Sequence, residues 1–504
     1  MEADRKQQIM KFLENNKEVL LIALVFFIIN ISLVNTIYSA DEGTHVLLSL
    51  FYKDLMTFVP SHLSFSEIYN YAINYLVHYP KLSVYYPPLF HIAGALLFFI
   101  NSGYFTLTAL SLTFATLAIV FLYFLTLTFT KSKKIAIIAS ILLTVSPIVF
   151  VYSIQALTET VLLFAAICVL YLWYNYIENS KGNVYLLTLL SIILVFAKQH
   201  MILIFLVLFA YTLIYKKAKK IIIPFVIIGT VFGIYLFGLY KLGVLQSMFT
   251  SSLVAATEKD PTFTTLAGWL FYPKTLIFNY ITIPFALLGF VEMYNWFKSK
   301  KKWRVLLLML FFVTLIFFIF VPNKDPRYIL PAIIPLVIAT ASLMSRYLKN
   351  NYYLLAIAIY GIFVLFATVN MAPQASYGFL SVLEKPGNIG IISESSSMYS
   401  SNMMALYALN HPMDRVFYRP CAFFDNKTLL EDVRYAIVVV PFDKAYQDQY
   451  NESINYAQNN DLFQKVYEHS ENGISTYVYE NQNYVISDTK CNFVCIKQES
   501  VCYQ

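Results

Sequence analysis

The chain has 504 residues, of which 59% are hydrophobic and 13% charged, and its mean hydropathy is +0.61. That balance excludes a soluble globular protein of this length, which would need far more charged surface. The net charge of +7 does not indicate nucleic acid. Lys and Arg gather in short segments between long apolar runs, as in the cytoplasmic loops of multi-pass membrane proteins.

Residues 1–18 are mixed in charge, and an apolar run follows from Val19 to Tyr38. With no convincing small-residue cleavage site, it reads as a retained signal-anchor with a cytoplasmic N-terminus. Asp41 and Glu42 then emerge on the outer side. Residues 41–103 read as one large external loop with juxtamembrane helices. Their apolar segment 87–100 opens with Pro87-Pro88 and is too short to cross a bilayer. The next span is 104–130, which delivers Lys131, Lys133 and Lys134 to the inside. Further spans are predicted at 135–153, 160–177, 184–197, 201–215, 221–240, 275–297, 305–322, 329–345 and 352–372. The expectation is an all-α polytopic membrane domain over 1–372 with about eleven transmembrane helices.

Residues 373–504 are more polar. Period-two apolar runs at 388–393, 435–441, 463–468 and 474–480 alternate with helical patterns at 400–410 and 443–459, which predicts a small external α/β domain. Cys421, Cys491, Cys495 and Cys502 fall there. On the outer side they suit two disulfides of open connectivity better than zinc, whose usual spacings they do not follow. Asn426 and Asn451 open glycosylation sequons, which are weak signals.

Five segments place ionisable groups at the outer boundary: Asp41, Glu42 and His45; His91 after Tyr86-Pro87-Pro88; Glu159; Lys198, Gln199 and His200; and Lys324, Asp325, Arg327 and Tyr328. Chance would scatter them on both sides. Each has a plain alternative. Asp41-Glu42 could end a solvated helix, Glu159 could cap its own helix, Lys198 and Arg327 could snorkel to headgroups, and His91 could satisfy a local backbone group. Jointly they make a reaction site. A carboxylate acts as general base on a hydroxyl, cations hold a phosphate leaving group, and apolar spans accommodate a lipid tail. Asp41 and Glu42 lie about 100° apart on a helix, so only one faces a given point.

In this order these motifs resemble the GT-C class of membrane glycosyltransferases, nearest the protein O-mannosyltransferase and aminoarabinose (lipid A) transferase group. The likeness rests on Asp41-Glu42, Tyr86-Pro87-Pro88-Leu89-Phe90-His91, Ser146-Pro147 through Glu159, Lys198, and Pro326-Arg327-Tyr328-Ile329-Leu330-Pro331, and spans about residues 19–345. Two features depart from it or limit it. Gln199-His200 replaces the usual Gly after the loop Lys, and the Trp-Trp-Asp signature of oligosaccharyltransferases is missing from the sequence. The resemblance implies inverting transfer of a monosaccharide from a polyprenyl-phosphate donor to a protein, lipid or glycan acceptor, at the outer face of the cell membrane. Asp41 would be the general base, with Glu42 and Glu159 shaping the acceptor pocket. Lys198 and Arg327 would hold the donor phosphate, supported by Tyr328 and His91. The likeness leaves metal dependence open, with Asp41, Glu42, Glu159 and His91 as candidates for holding a divalent metal ion. The rivals are a transporter or flippase, which would place charges at the bilayer midplane, and a non-catalytic receptor or scaffold.

Overall fold

The computed structural model describes residues 13–34, 41–79, 84–215, 221–241 and 261–347, with shorter stretches between 357 and 483 and a few isolated positions. The predicted helix at 443–459, apart from isolated positions, the four outer cysteines and both sequons lie outside the described residues. The chain divides into two compact units. One comprises Met1–Asn35, Tyr85–Phe90 and Thr108–Met371; the other comprises Thr36–Val84, His91–Leu107 and Ala372–Gln504.

Helices of the first unit are α1 (Lys17–Ile31), most of α5 (Tyr104–Thr130), α6 (Lys133–Thr144), α7 (Pro147–Ser153), α8 (Glu159–Asn179), α9 (Val184–Val195), α10 (Met201–Ile214), α11 (Ile222–Lys241), α12 (Leu266–Thr275), α13 (Ile283–Phe297), α14 (Lys302–Phe320) and α15 (Ile333–Tyr347). Helix α4 (Leu89–Phe98) starts in this unit and continues in the other. Five segments are long and apolar enough to cross a membrane: α5, α8, α11, α14 and Pro326–Tyr347. The predicted span at 135–153 is instead the pair α6 and α7, bent by 61°. Pro147 opens the second helix, and its ring and missing N–H prevent α6 from running on. The spans predicted at 184–197 and 201–215 form the shorter apolar helices α9 and α10, separated by the turn that carries Lys198. The span predicted at 352–372 lies largely outside the described residues.

Some polar groups inside this unit pair at close helix contacts. Trp173 Nε1 donates to Ser191 Oγ at 2.8 Å. Thr340 Oγ1 bonds the Phe285 carbonyl oxygen at 2.9 Å, tying α15 to α13. Gly289 makes that approach possible, since a Cβ there would come within 2.7 Å of Leu336 Cδ1 and Thr340 Oγ1. Small residues at crossings allow such proximity where lipid removes most of the hydrophobic drive.

The unit has two chemically different ends. Glu159 begins α8, and Glu178, near its end, lies about 28 Å away along the helix. Around Glu178 are Lys302 Nζ at 3.1 Å and the Tyr211 hydroxyl at 2.9 Å. At the same end Lys133 pairs with Glu18 at 2.8 Å. Buried Glu292 accepts from Arg346 at 3.0 Å and lies 3.6 Å from Arg304.

The second unit combines α2 (Asp41–Phe58), α3 (Phe65–His78), the rest of α4 and the C-terminal elements. These are β1 (Ile389–Ser393), α16 (Met398–Ala408), β2 (Phe417–Tyr418), β3 (Tyr435–Pro441), β4 (Phe463–Glu471) and β5 (Ile474–Asn481). Strands occupy all four runs where alternation predicted them. The sheet order is β2-β1-β3-β5-β4, with β2, β1 and β3 parallel and β4–β5 an antiparallel hairpin. Central β3 is buried at Tyr435, Ala436, Ile437 and Val438, as a strand covered on both faces should be. Helix α16 packs on α2, and the Tyr104 hydroxyl donates to Asn402 Oδ1 at 3.0 Å. Apart from Tyr85–Phe90, the predicted external loop therefore belongs to one unit with the C-terminal sheet.

Gly289→Leu should force α13 and α15 apart and cost about 1–3 kcal/mol. Thermal unfolding of the purified protein in detergent is the check, with a drop expected for Leu and little change for Gly289→Ala only if the helices can shift.

Candidate active site

The predicted site residues fall into two clusters, one in each unit. In the first, the turn from α9 to α10 brings Lys198 Nζ to 2.6 Å from Glu159 Oε1. Both side chains are buried. Glu159 sits in the first turn of α8, where the helix dipole favours a carboxylate. Arg327 Nε lies 3.8 Å from the same oxygen. Its guanidinium is held mainly by Asp325 Oδ2, at 2.8 Å from Nε and 2.6 Å from Nη2. Asp325 Oδ1 also accepts the Arg327 backbone N–H at 2.8 Å, capping the 3₁₀ turn Pro326–Ala332. Two cations and two carboxylates thus form one continuous network.

Lys324 has a different task. Its ammonium donates to the carbonyls of Phe318, Ile319 and Val321 at 3.0, 2.6 and 2.7 Å, capping the end of α14. Tyr328 packs with His200 and Phe318 at ring centroid distances of 5.4 Å each. Burial, with Lys198 adding to it, pushes the His200 imidazole down to about 3 against the opposing charge of Glu159. Its Nδ1, with the hydroxyls of Thr158 and Thr160 beside Glu159, is buried without a hydrogen-bond partner among the described residues. Such orphaned groups are uncommon in finished interiors and suit a place where a polar ligand enters.

Gln199, the departure from the family pattern, has a structural explanation. Its amide donates to the Tyr85 carbonyl at 2.9 Å, and the Tyr235 hydroxyl donates there too at 3.2 Å. Beyond the two prolines, which have no N–H to offer, Leu89 donates to the Phe196 carbonyl at 3.1 Å. The Pro-Pro segment and the loop carrying Lys198 therefore hold each other.

In the second unit, Asp41 starts α2 half-buried while Glu42 is wholly buried. The two point to different surroundings, as adjacent helical residues must. One turn along, His45 Nδ1 lies 2.8 Å from His91 Nε2, with the rings stacked 5.1 Å apart. His91, read as a phosphate ligand, is thus half of a buried imidazole pair, one ring nitrogen donating and the other accepting according to tautomer. His45 has no role in the sequence-based expectation, although its spacing of four from Asp41 places both on one helix face. Asp325 was also named without a role. The metal candidates are divided, with Asp41, Glu42 and His91 in one unit and Glu159 in the other. Among the described residues no group of three or more His, Cys, Asp or Glu is placed to hold a metal ion.

No protein-family model and no curated protein matches the sequence. Solved structures do. The fold is similar to that of ArnT from Cupriavidus metallidurans in the apo state, with a TM-score of 0.61, 13% identity, and coverage of 93% of this chain and 98% of that one. ArnT bound to undecaprenyl phosphate matches with a TM-score of 0.59 and 14% identity over the same shares. The archaeal oligosaccharyltransferase AglB from Archaeoglobus fulgidus, in complex with an inhibitory peptide and a dolichol-phosphate, matches with a TM-score of 0.53 and 12% identity, covering 95% of this chain and 75% of that one.

Removing one member of the buried Lys198–Glu159 pair leaves a lone charge in an apolar surround. Glu159→Gln should therefore lower unfolding stability by about 3–5 kcal/mol, with Glu159→Gln/Lys198→Met recovering much of it. His200 gives a second test. Its folded-state pKa is depressed, so protonation favours the unfolded chain and stability falls as pH drops below the ordinary value of about 6.5. Melting temperatures between pH 7 and pH 5 should fall less steeply in His200→Phe than in the native chain. Parallel slopes would remove His200 from the acid response.

ArnT and AglB are both GT-C glycosyltransferases, and what this chain shares with them is their fold.

Proposed function

We propose that the chain is a multi-pass membrane glycosyltransferase that moves a monosaccharide, with inversion, from a polyprenyl-phosphate donor to an acceptor hydroxyl at the outer face of the membrane. The observation that carries this reading is the Glu159–Lys198–Arg327–Asp325 network at one end of a helical bundle. Supporting it is a fold similar to that of ArnT, which has been crystallised with undecaprenyl phosphate.

The proposed chemistry uses these groups as follows. The acceptor oxygen attacks the anomeric carbon from the face opposite the phosphate. Asp41, as general base, takes the hydroxyl proton. The bond between the anomeric carbon and the phosphate oxygen breaks, and its electron pair leaves with the polyprenyl phosphate. A phosphodiester with one negative charge thereby becomes a monoester with up to two. Lys198 and Arg327 stabilise the charge that develops there, exchanging part of their contact with Glu159 and Asp325 for phosphate oxygens. Glu42 and Glu159 shape the acceptor side. Tyr328 supports the phosphate site, and His91 acts through its pairing with His45. The predicted count of about eleven spans, the inward N-terminus and the separation of 1–372 from 373–504 belong to this proposal. The sugar and acceptor are left open.

The test is transfer by the purified, folded protein supplied with a polyprenyl-phosphate sugar. Asp41→Asn is expected to cut turnover by about 10²–10⁴-fold while donor binding persists. Lys198→Ala and Arg327→Ala should instead weaken donor binding by roughly 10–100-fold each, the worth of a charged hydrogen bond. Full turnover in Asp41→Asn, or native donor affinity in both cation variants, would remove those assignments.

A further inference from the structure

At the basic end of the first unit, away from the Glu159 network, α5, α8 and the loop before α9 border an open cleft of about 550 Å³. Polar lining comes from Thr128, Lys131, Tyr171, Asn175, Asn179 and Lys181. Several basic side chains described at this end have acidic or carbonyl partners: Lys133 with Glu18, Lys302 with Glu178, Arg304 and Arg346 with Glu292, and Lys134 with the Ser345 carbonyl. Lys131 and Lys181 have no acidic partner among the described residues, yet they share one cleft.

The backbone around them is unusual as well. Helix α5 ends on Lys131 with φ 56°, and α8 ends on Ser180 with φ 52°. Both are left-handed, a conformation that glycine adopts without strain and that is strained for a residue bearing a side chain. Glycine does occupy position 182, where φ is 115°. Lysine at 131 therefore supplies a cation at a position where glycine would be more comfortable.

We propose that this cleft binds the phosphate of an anionic glycerophospholipid of the adjoining leaflet. Two ammonium groups more than balance the single negative charge of its phosphodiester, and the amides of Asn175 and Asn179 and the Tyr171 hydroxyl line the same space as donors. The membrane is the favoured source over a soluble phosphate. Leu172 and Leu187 line the same cleft. In the adjoining first turn of α9, Tyr185 is 82% and Leu186 55% exposed, apolar surface suited to acyl chains. Concentration of basic residues at one end of a bundle also marks the side on which anionic lipids are attracted. The inference holds whatever sugar the opposite end handles.

Native mass spectrometry of the full-length protein, incubated with phosphatidylglycerol or phosphatidylcholine, tests it. Phosphatidylglycerol should bind preferentially, and Lys131→Gly and Lys181→Ala should each weaken it roughly fivefold. Lys131→Gly should raise the melting temperature while lowering lipid binding, a combination that a purely structural lysine would not give. Lys133→Ala, whose side chain is paired with Glu18, should bind lipid as the native chain does. Equal binding of the two lipids, or native binding by the Lys131→Gly/Lys181→Ala protein, would overturn the site. Displacement of the lipid by an equal concentration of inorganic phosphate would overturn its assignment to the membrane.

Discussion

The buried ion pair between Lys198 and Glu159, 2.6 Å apart, is the constraint around which the helical unit is arranged. Two charges removed from water are tolerable only when each has the other and further polar neighbours. Here the carboxylate also gains the dipole of α8, and Arg327 stands within 3.8 Å. Satisfying these demands fixes the start of α8, the break between α9 and α10, and the 3₁₀ turn after α14. The bonds from Gln199 and Leu89 then fix the Pro-Pro segment on the same loop.

Such an arrangement is costly as pure architecture, because well-packed apolar residues often do as well or better in place of a buried pair. It makes sense as a poised site. In the proposed reaction Lys198 and Arg327 give up part of their carboxylate contact to a phosphate, while Asp325 keeps the guanidinium oriented. Lys324, three residues before Arg327, shows the contrast. Backbone carbonyls absorb its charge, and it stabilises a helix end.

Much of this was legible in the sequence because membrane helices obey few rules. Apolar run length, clustered Lys and Arg, and period-two runs near the C-terminus located α5, α8, α11 and α14 and the strands β1, β3, β4 and β5. The motif order located Glu159, Lys198 and Arg327. What escaped depends on pairing in space. That Lys198 would pair with Glu159, Arg327 with Asp325, and His91 with His45 cannot be read from spacing across 39, 2 and 46 positions. The 61° bend at Pro147 was signalled by the proline, but the length of the apolar run outweighed it. The packing of α2 against α16 joins residues far apart in the chain, and no local pattern marks it.

The proposed transfer depends on Lys198 and Arg327 exchanging carboxylate for phosphate. A structure of the protein with a bound polyprenyl phosphate tests this most directly. The expected result is phosphate oxygens about 3 Å from Lys198 Nζ and the Arg327 guanidinium, with the Lys198–Glu159 contact lengthened beyond its present 2.6 Å. A polyprenyl phosphate seated elsewhere, with that pair and the Arg327–Asp325 pair unchanged, would contradict it.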